Sequence, residues 1–89
     1  MNSRTTKQFR ERLAELPSVV QERARKAYAL FKENPSHRSL QSKPVHPRRP
    51  IWSARVTRDY RVLGIRDGDT IVWFWISPHA EYDHIIAQA

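Results

Sequence analysis

Near residue 51 the chain stops reading as helix and starts reading as sheet, and this switch of hydrophobic period limits the folds open to it. Ile51–Thr57, Tyr60–Arg66 and Thr70–Ile76 are three runs rich in β-branched and aromatic residues. Arg58-Asp59 separates the first two and Asp67-Gly68 the last two, and Asp-Gly is a strong hairpin signal. Three short strands joined by tight turns make an antiparallel meander. The last run, TIVWFWI, is apolar at alternate and intervening positions alike, as in a strand covered on both faces.

Upstream the period is helical. Phe9, Leu13 and Leu16 share one face, with Arg10, Glu11, Arg12 and Glu15 between them, which predicts a helix over residues 5–16. Pro17 closes it and suits the first turn of the next, which spans residues 18–33 with Val20, Ala24, Ala27 and Phe31 turned to a core. Asn34-Pro35 stops that helix. Residues 34–50 hold four of the six prolines, with only Leu40 and Val45 as larger aliphatics, and read as a long loop. After the meander, SPHAEYDHIIAQA reads as a short helix with Ser77 as N-cap and Pro78 in the first position. The expected fold is α+β: one domain over residues 1–89, with two N-terminal helices packed on one face of an antiparallel meander and a short C-terminal helix.

Sixteen Lys and Arg against nine Asp and Glu give a formal net charge of +7, unevenly placed. Residues 1–50 hold twelve basic and four acidic residues, net +8, and residues 51–89 hold four and five, net −1. A basic first half suits a polyanionic partner, although a solvated helix surface has the same composition. The absence of cysteine excludes disulfides and thiolate metal sites and fits a reducing compartment, so a cytoplasmic protein is expected. No apolar run has the length of a membrane span, and no membrane partner is expected.

Three pieces in order, "LPSVVQERARKAYALFKENPSHRSL", "WSARVTRDYRVLGI" and "DTIVWFWISPHAEYD", resemble toxins of the RelE/ParE superfamily from about Phe9 to Ile86. The most specific part is "YRVLG" and "HAEYD" flanking an apolar strand. The resemblance implies helices on an antiparallel sheet, and a cognate antitoxin that masks the basic surface. In the RelE, YoeB and HigB branches it implies metal-independent cleavage of mRNA, generally on the ribosome. In the ParE branch it implies inhibition of DNA gyrase without nuclease chemistry. One departure stands out: the family's alternating N-terminal strand is short or absent here, since "NSRTTKQF" is polar.

Cleaving RNA without a metal needs a group to move the 2′-hydroxyl proton, a cation for the crowded phosphate and an acid for the leaving oxygen. Arg61 is the first candidate for the phosphate, being a charge inside an apolar strand pattern, at the position where the family carries the arginine of "YR". The ordinary alternative is an arginine snorkelling from the sheet or paired with Asp59. Arg55 joins it only if the intervening loop has an odd number of residues; a two-residue loop turns it to the other face. His79 is the candidate for proton transfer, one helical turn from Asp83, which can orient it. Tyr82 matches the aromatic of the family's "HAEYD"-like ending, for stacking or hydrogen bonding. Helix-start and packing roles explain His79 and Tyr82 as well. Glu81 is a weaker candidate base. His46, Arg48 and Arg49 can grip an RNA backbone or simply be solvated. At least two of Trp52, Trp73 and Trp75 are expected to be structural. No cofactor is expected, and no metal site, since nothing completes a ligand set around His79 and Asp83. The expected function is a toxin that cleaves mRNA and is neutralised by an antitoxin. A gyrase inhibitor and a non-catalytic nucleic-acid-binding module are the alternatives, and Arg61, His79 and Tyr82 together favour the nuclease.

Overall fold

The structure, a computed structural model, describes residues 1–88. Strand β1 (Asn2–Thr5) leads into helices α1 (Lys7–Ala14) and α2 (Ser18–Glu33), and a single 3-10 turn (Arg38–Leu40) precedes strand β2 (Lys43–Pro44). The meander follows as β3 (Ile51–Arg55), β4 (Tyr60–Asp67) and β5 (Thr70–Pro78), and helix α3 (His79–Gln88) comes last. The strands form one mixed sheet in the order β1-β5-β4-β3-β2. The meander is antiparallel throughout, as the alternating patterns require, and only the β1–β5 pair is parallel.

Each N-terminal helix has a local reason for its limits. Thr6 caps α1, its hydroxyl oxygen accepting from the Phe9 N–H at 3.1 Å, so the helix starts two residues later than expected. Pro17 holds the N-cap position of α2 at φ −54° rather than its first helical residue. The Gln21 amide donates to the carbonyls of Leu16 (2.8 Å) and Ala14 (3.3 Å), pinning the corner between the helices. Both helices pack on one sheet face, where Phe9, Val20, Ala24 and Phe31 meet Ala54, Val56, Val62, Ile71, Trp73 and Ile76. Phe31 and Trp73 sit edge to face, with centroids 5.0 Å apart at 82°.

That Trp73 sits so close to the sheet depends on Gly64. A Cβ there would lie 2.6 Å from Trp73 Cε3 and 2.9 Å from Ile71 Cγ1. The β4–β5 register also shifts at this point, between Leu63 and Gly64.

The N-terminal strand is present and short. Its polarity has a simple cause, since it touches the core through one residue. Ser3 is buried, accepts from Trp73 Nε1 at 2.9 Å through its hydroxyl, and accepts from the Tyr28 hydroxyl through its carbonyl. The expected loop over residues 34–50 contains two further pieces of structure. Leu40, 1% exposed, anchors the 3-10 turn in the core, and Val45 packs on the other sheet face next to β2. At the C-terminal end the expectation of Ser77 as N-cap is corrected. Ser77 and Pro78 still pair with Arg61 and Tyr60 of β4, so strand runs on to Pro78 and the helix starts at His79. Helix α3 covers the second sheet face, where Tyr82, Ile85 and Ile86 pack on Ile51, Leu63, Phe74 and Trp75.

Candidate functional site

The second sheet face carries the charged residue that the apolar pattern of β4 left unexplained. Arg55 and Arg61 are direct partners across β3 and β4. Five residues, 56–60, separate the paired arginines, an odd number, and both turn to the face that α3 covers. Thr57 makes the turn, its hydroxyl oxygen accepting from the N–H groups of Asp59 (3.2 Å) and Tyr60 (3.1 Å). On either side of Arg61 the sheet offers small residues. Ser77 is its partner on β5 and Ser53 its diagonal neighbour on β3, and both are fully buried. They leave room for a guanidinium to lie along the sheet instead of reaching into solvent.

Arg61 is only 7% exposed. Its Nη2 donates to the Gln41 carbonyl and to Ser53 Oγ, each at 3.0 Å, and its Nη1 reaches Gln41 Oε1 at 3.4 Å. Its Nε–H is buried and has no partner among the described residues. Gln41 can present its carbonyl in this way because it adopts the left-handed conformation, φ 45°, at the end of the 3-10 turn. No carboxylate pairs with the guanidinium among the described residues; the ion pairs are Lys7–Glu11 and Lys26–Glu22, both on exposed helix faces. Burial pushes the Arg61 pKa below the usual arginine range; Tyr82 opposes that shift and the like charge of Arg55 adds to it.

Above the guanidinium lies the start of α3. Tyr82 is buried, with its ring centroid 5.9 Å from Arg61 Cζ, and it stacks on the His79 ring at 5.2 Å and 30°. His79 is itself exposed, its backbone N–H tied to the Asp59 carbonyl. Gln41, Arg55, Arg58, Arg61 and His79 line an open cleft of about 300 Å³. The structure thus brings together Arg55, Arg61 and His79 around one cavity, with Tyr82 beneath His79. Three cations converge there and no acid among the described residues lines the walls. That suits a phosphate, and His79 adds an imidazole, a group able to accept or donate a proton, to the lining.

Other expected residues lie elsewhere. Asp83 and Glu81 are exposed on α3, and no ion pair joins His79 to Asp83 among the described residues. His46, Arg48 and Arg49 sit on the β2–β3 turn, before Ile51, at the end of β3 away from Arg55. There His46 Nδ1 accepts from the N–H groups of Arg48 and Arg49, both at 3.0 Å, a local turn-forming role. All three tryptophans pack. Trp73 is in the core and Trp52 lies against it with Arg66 over its ring at 4.7 Å. Trp75 lies under the Arg12 guanidinium at 3.7 Å. No cluster of three or more metal-ligating His, Cys, Asp or Glu occurs among the described residues, and no described helix is long and apolar enough to cross a membrane.

Sequence reasoning missed Gln41, Ser53, Ser77 and Arg58. The two serines had a signal, being small polar residues inside apolar strands that flank a charge. Gln41 had none, because nothing in the loop marks its left-handed turn.

The sequence model of the ParE-like toxin domain family matches residues 18–84, which include β3 to β5 and the start of α3. The chain belongs to the ParE-like toxin domain family. Solved structures of RelE-type toxins share the fold. A chain of the RelB–RelE antitoxin–toxin complex of Methanococcus jannaschii superposes with a TM-score of 0.73 at 19% identity, covering 91% of this chain and 96% of that one. A chain of the RelBE2 complex of Mycobacterium tuberculosis gives 0.72 at 23%, covering 88% and 96%. YafQ of Escherichia coli gives 0.67 at 12%, covering 91% and 96%. No curated protein sequence matches the chain. The cleft therefore belongs to a toxin domain, on the sheet face that α3 covers and α1 and α2 do not.

Proposed function

We propose that this toxin is a metal-independent endoribonuclease that cleaves mRNA, on the ribosome, and that a cognate antitoxin neutralises it. The observation that carries this reading is the buried Arg61 guanidinium, with an unpartnered Nε–H and no carboxylate beside it among the described residues. A buried charge without a counter-charge is costly, and a bound phosphate would supply one. In the proposed reaction the 2′-oxygen attacks the adjacent phosphorus and the bond to the 5′-oxygen breaks. Neutral His79 takes the 2′-hydroxyl proton, and the imidazolium or water returns one to the 5′-oxygen. Arg61, with Arg55 and Arg58 at the rim, stabilises the added charge on phosphorus. Tyr82 holds the His79 ring by stacking. The need for a 2′-hydroxyl makes RNA the substrate and excludes DNA.

The family match itself favours a second reading, since the matching model is ParE-like: inhibition of DNA gyrase by binding alone. Growth arrest and cleavage of mRNA on translating ribosomes, measured side by side, separate the two. Wild type should cleave the mRNA. Arg61→Ala should lose on the order of 100-fold in rate, and His79→Ala about 100- to 10,000-fold. Arrest with intact RNA and inhibited gyrase would instead establish the second reading. Full cleavage by both variants would remove the site.

A further inference from the structure

A second and larger hollow, about 720 Å³, opens on the other side of the cleft's rim. One wall is a stripe of α2 at helical spacing, Val19, Arg23, Lys26 and Leu30, and the other is the end of β3 with its turn, Arg55 to Arg58. Arg55 and Arg58 line both hollows, so the two share a rim. Four cations, Arg23, Lys26, Arg55 and Arg58, stand around the groove, and no carboxylate among the described residues lines it. Two acids flank it: Asp59 follows Arg58 in the turn, and Glu22 meets Lys26 Nζ at 3.4 Å on the exposed helix face, an ion pair that solvent makes weak. The floor is aliphatic, with Val19 60% exposed, and no aromatic ring among the described residues lines it.

We infer that this groove is a second phosphate-binding track, which takes the backbone of the same single-stranded RNA as it leaves the cleft. The inference rests on the nuclease reading and adds to it where the flanking nucleotides run. Charge and the shared rim carry it: a strand whose phosphate sits at Arg61 meets Arg55 and Arg58 next, and then the two cations of α2. With no ring to stack on, bases are not read in the groove; riboses lie on the aliphatic floor and phosphates meet the rim. The track therefore adds affinity and salt dependence but no sequence preference.

The test measures binding of the full chain to labelled 2′-O-methyl RNA, which cannot be cleaved, across a range of potassium chloride concentrations. A dodecanucleotide spans cleft and groove, whereas a trinucleotide fills the cleft alone. The double variant Arg23→Ala/Lys26→Ala should flatten the dodecanucleotide's slope of log affinity on log salt by about 1.4, or about 0.7 for each phosphate that is no longer neutralised. Its trinucleotide binding should match wild type, and Arg23→Lys/Lys26→Arg should restore the slope. An unchanged dodecanucleotide slope, in a double variant with wild-type circular dichroism, overturns the track and leaves the nuclease reading standing. Wild type that binds the dodecanucleotide no more tightly than the trinucleotide also overturns the track. A double variant that keeps its RNA slope but loses its antitoxin overturns the track and assigns the groove to an acidic protein partner.

Discussion

Free energy spent on burying Arg61 is withheld from folding, and this gives the site a signature in stability as well as in activity. The guanidinium has neutral partners, Gln41 and Ser53, and one buried N–H with none. Replacing a buried charge that has no counter-charge with an apolar side chain of similar length removes its desolvation cost. Arg61→Met should therefore raise the midpoint of thermal unfolding while abolishing RNA cleavage. A lower midpoint would mean that the bonds to Gln41 and Ser53 outweigh the burial of the charge. Gly64 makes the opposite case. A methyl group 2.6 Å from Trp73 Cε3 forces the indole or the strand to move, so Gly64→Ala should cost about 1–3 kcal/mol in denaturant unfolding. Since Gly64 does not line the cleft, whatever protein stays folded should keep its specific activity.

At the scale of elements, the sheet separates two packing units. One is the two-helix face and the other is the α3 face, and the cleft belongs to the second. Undocking α3 should therefore cost the site and spare the main core. Ile85→Asp/Ile86→Asp places charges against Leu63 and Trp75. It should reduce cleavage about as far as His79→Ala does, by about 100-fold or more. Amide exchange should rise in α3 and stay slow in α2 and β5, and equal loss of protection in both layers would show one cooperative unit. The meander is legible in the chain because its turn residues and its alternation agree. Three features escape for separate reasons. Strand β1 buries only Ser3, so it shows no alternation. Strand β2 has two residues, one of them proline, and is held from outside by Ser53 and Trp52. The end of β5 reads as a cap because Ser-Pro begins many helices, yet here cross-strand pairing with Tyr60 and Arg61 prevails. In the candidate site, residue type and resemblance suffice to name Arg61, His79 and Tyr82. They do not suffice for the cradle, since Gln41 arrives through a left-handed turn that no composition marks.

Over the whole molecule, charge and topology pull on different events. The basic excess lies in residues 1–50, net +8, whereas Arg55, Arg58 and Arg61 come from the nearly neutral remainder. Cations of α2 and of the meander thus share one rim, and an acidic antitoxin segment should be drawn to it from a distance. Its association rate should fall steeply with added salt, since the Debye length shrinks from about 10 Å at 0.1 M to about 3 Å at 1 M. A rate that ignores salt would argue for purely apolar docking. Topology acts earlier, during folding. Strand β1 pairs in parallel with β5, Asn2 beside Thr70, so the sheet closes only after almost the whole chain has been brought back on itself. Such a closure gives a high contact order and slow folding. Until it occurs, the apolar edge of β5 stays open to other chains, and α3, with His79 and Tyr82, follows β5 in synthesis. Under the proposed function, a nascent chain that has not yet extended past β5 lacks both the strand that closes the sheet and the cleft, and is inert and aggregation-prone until then.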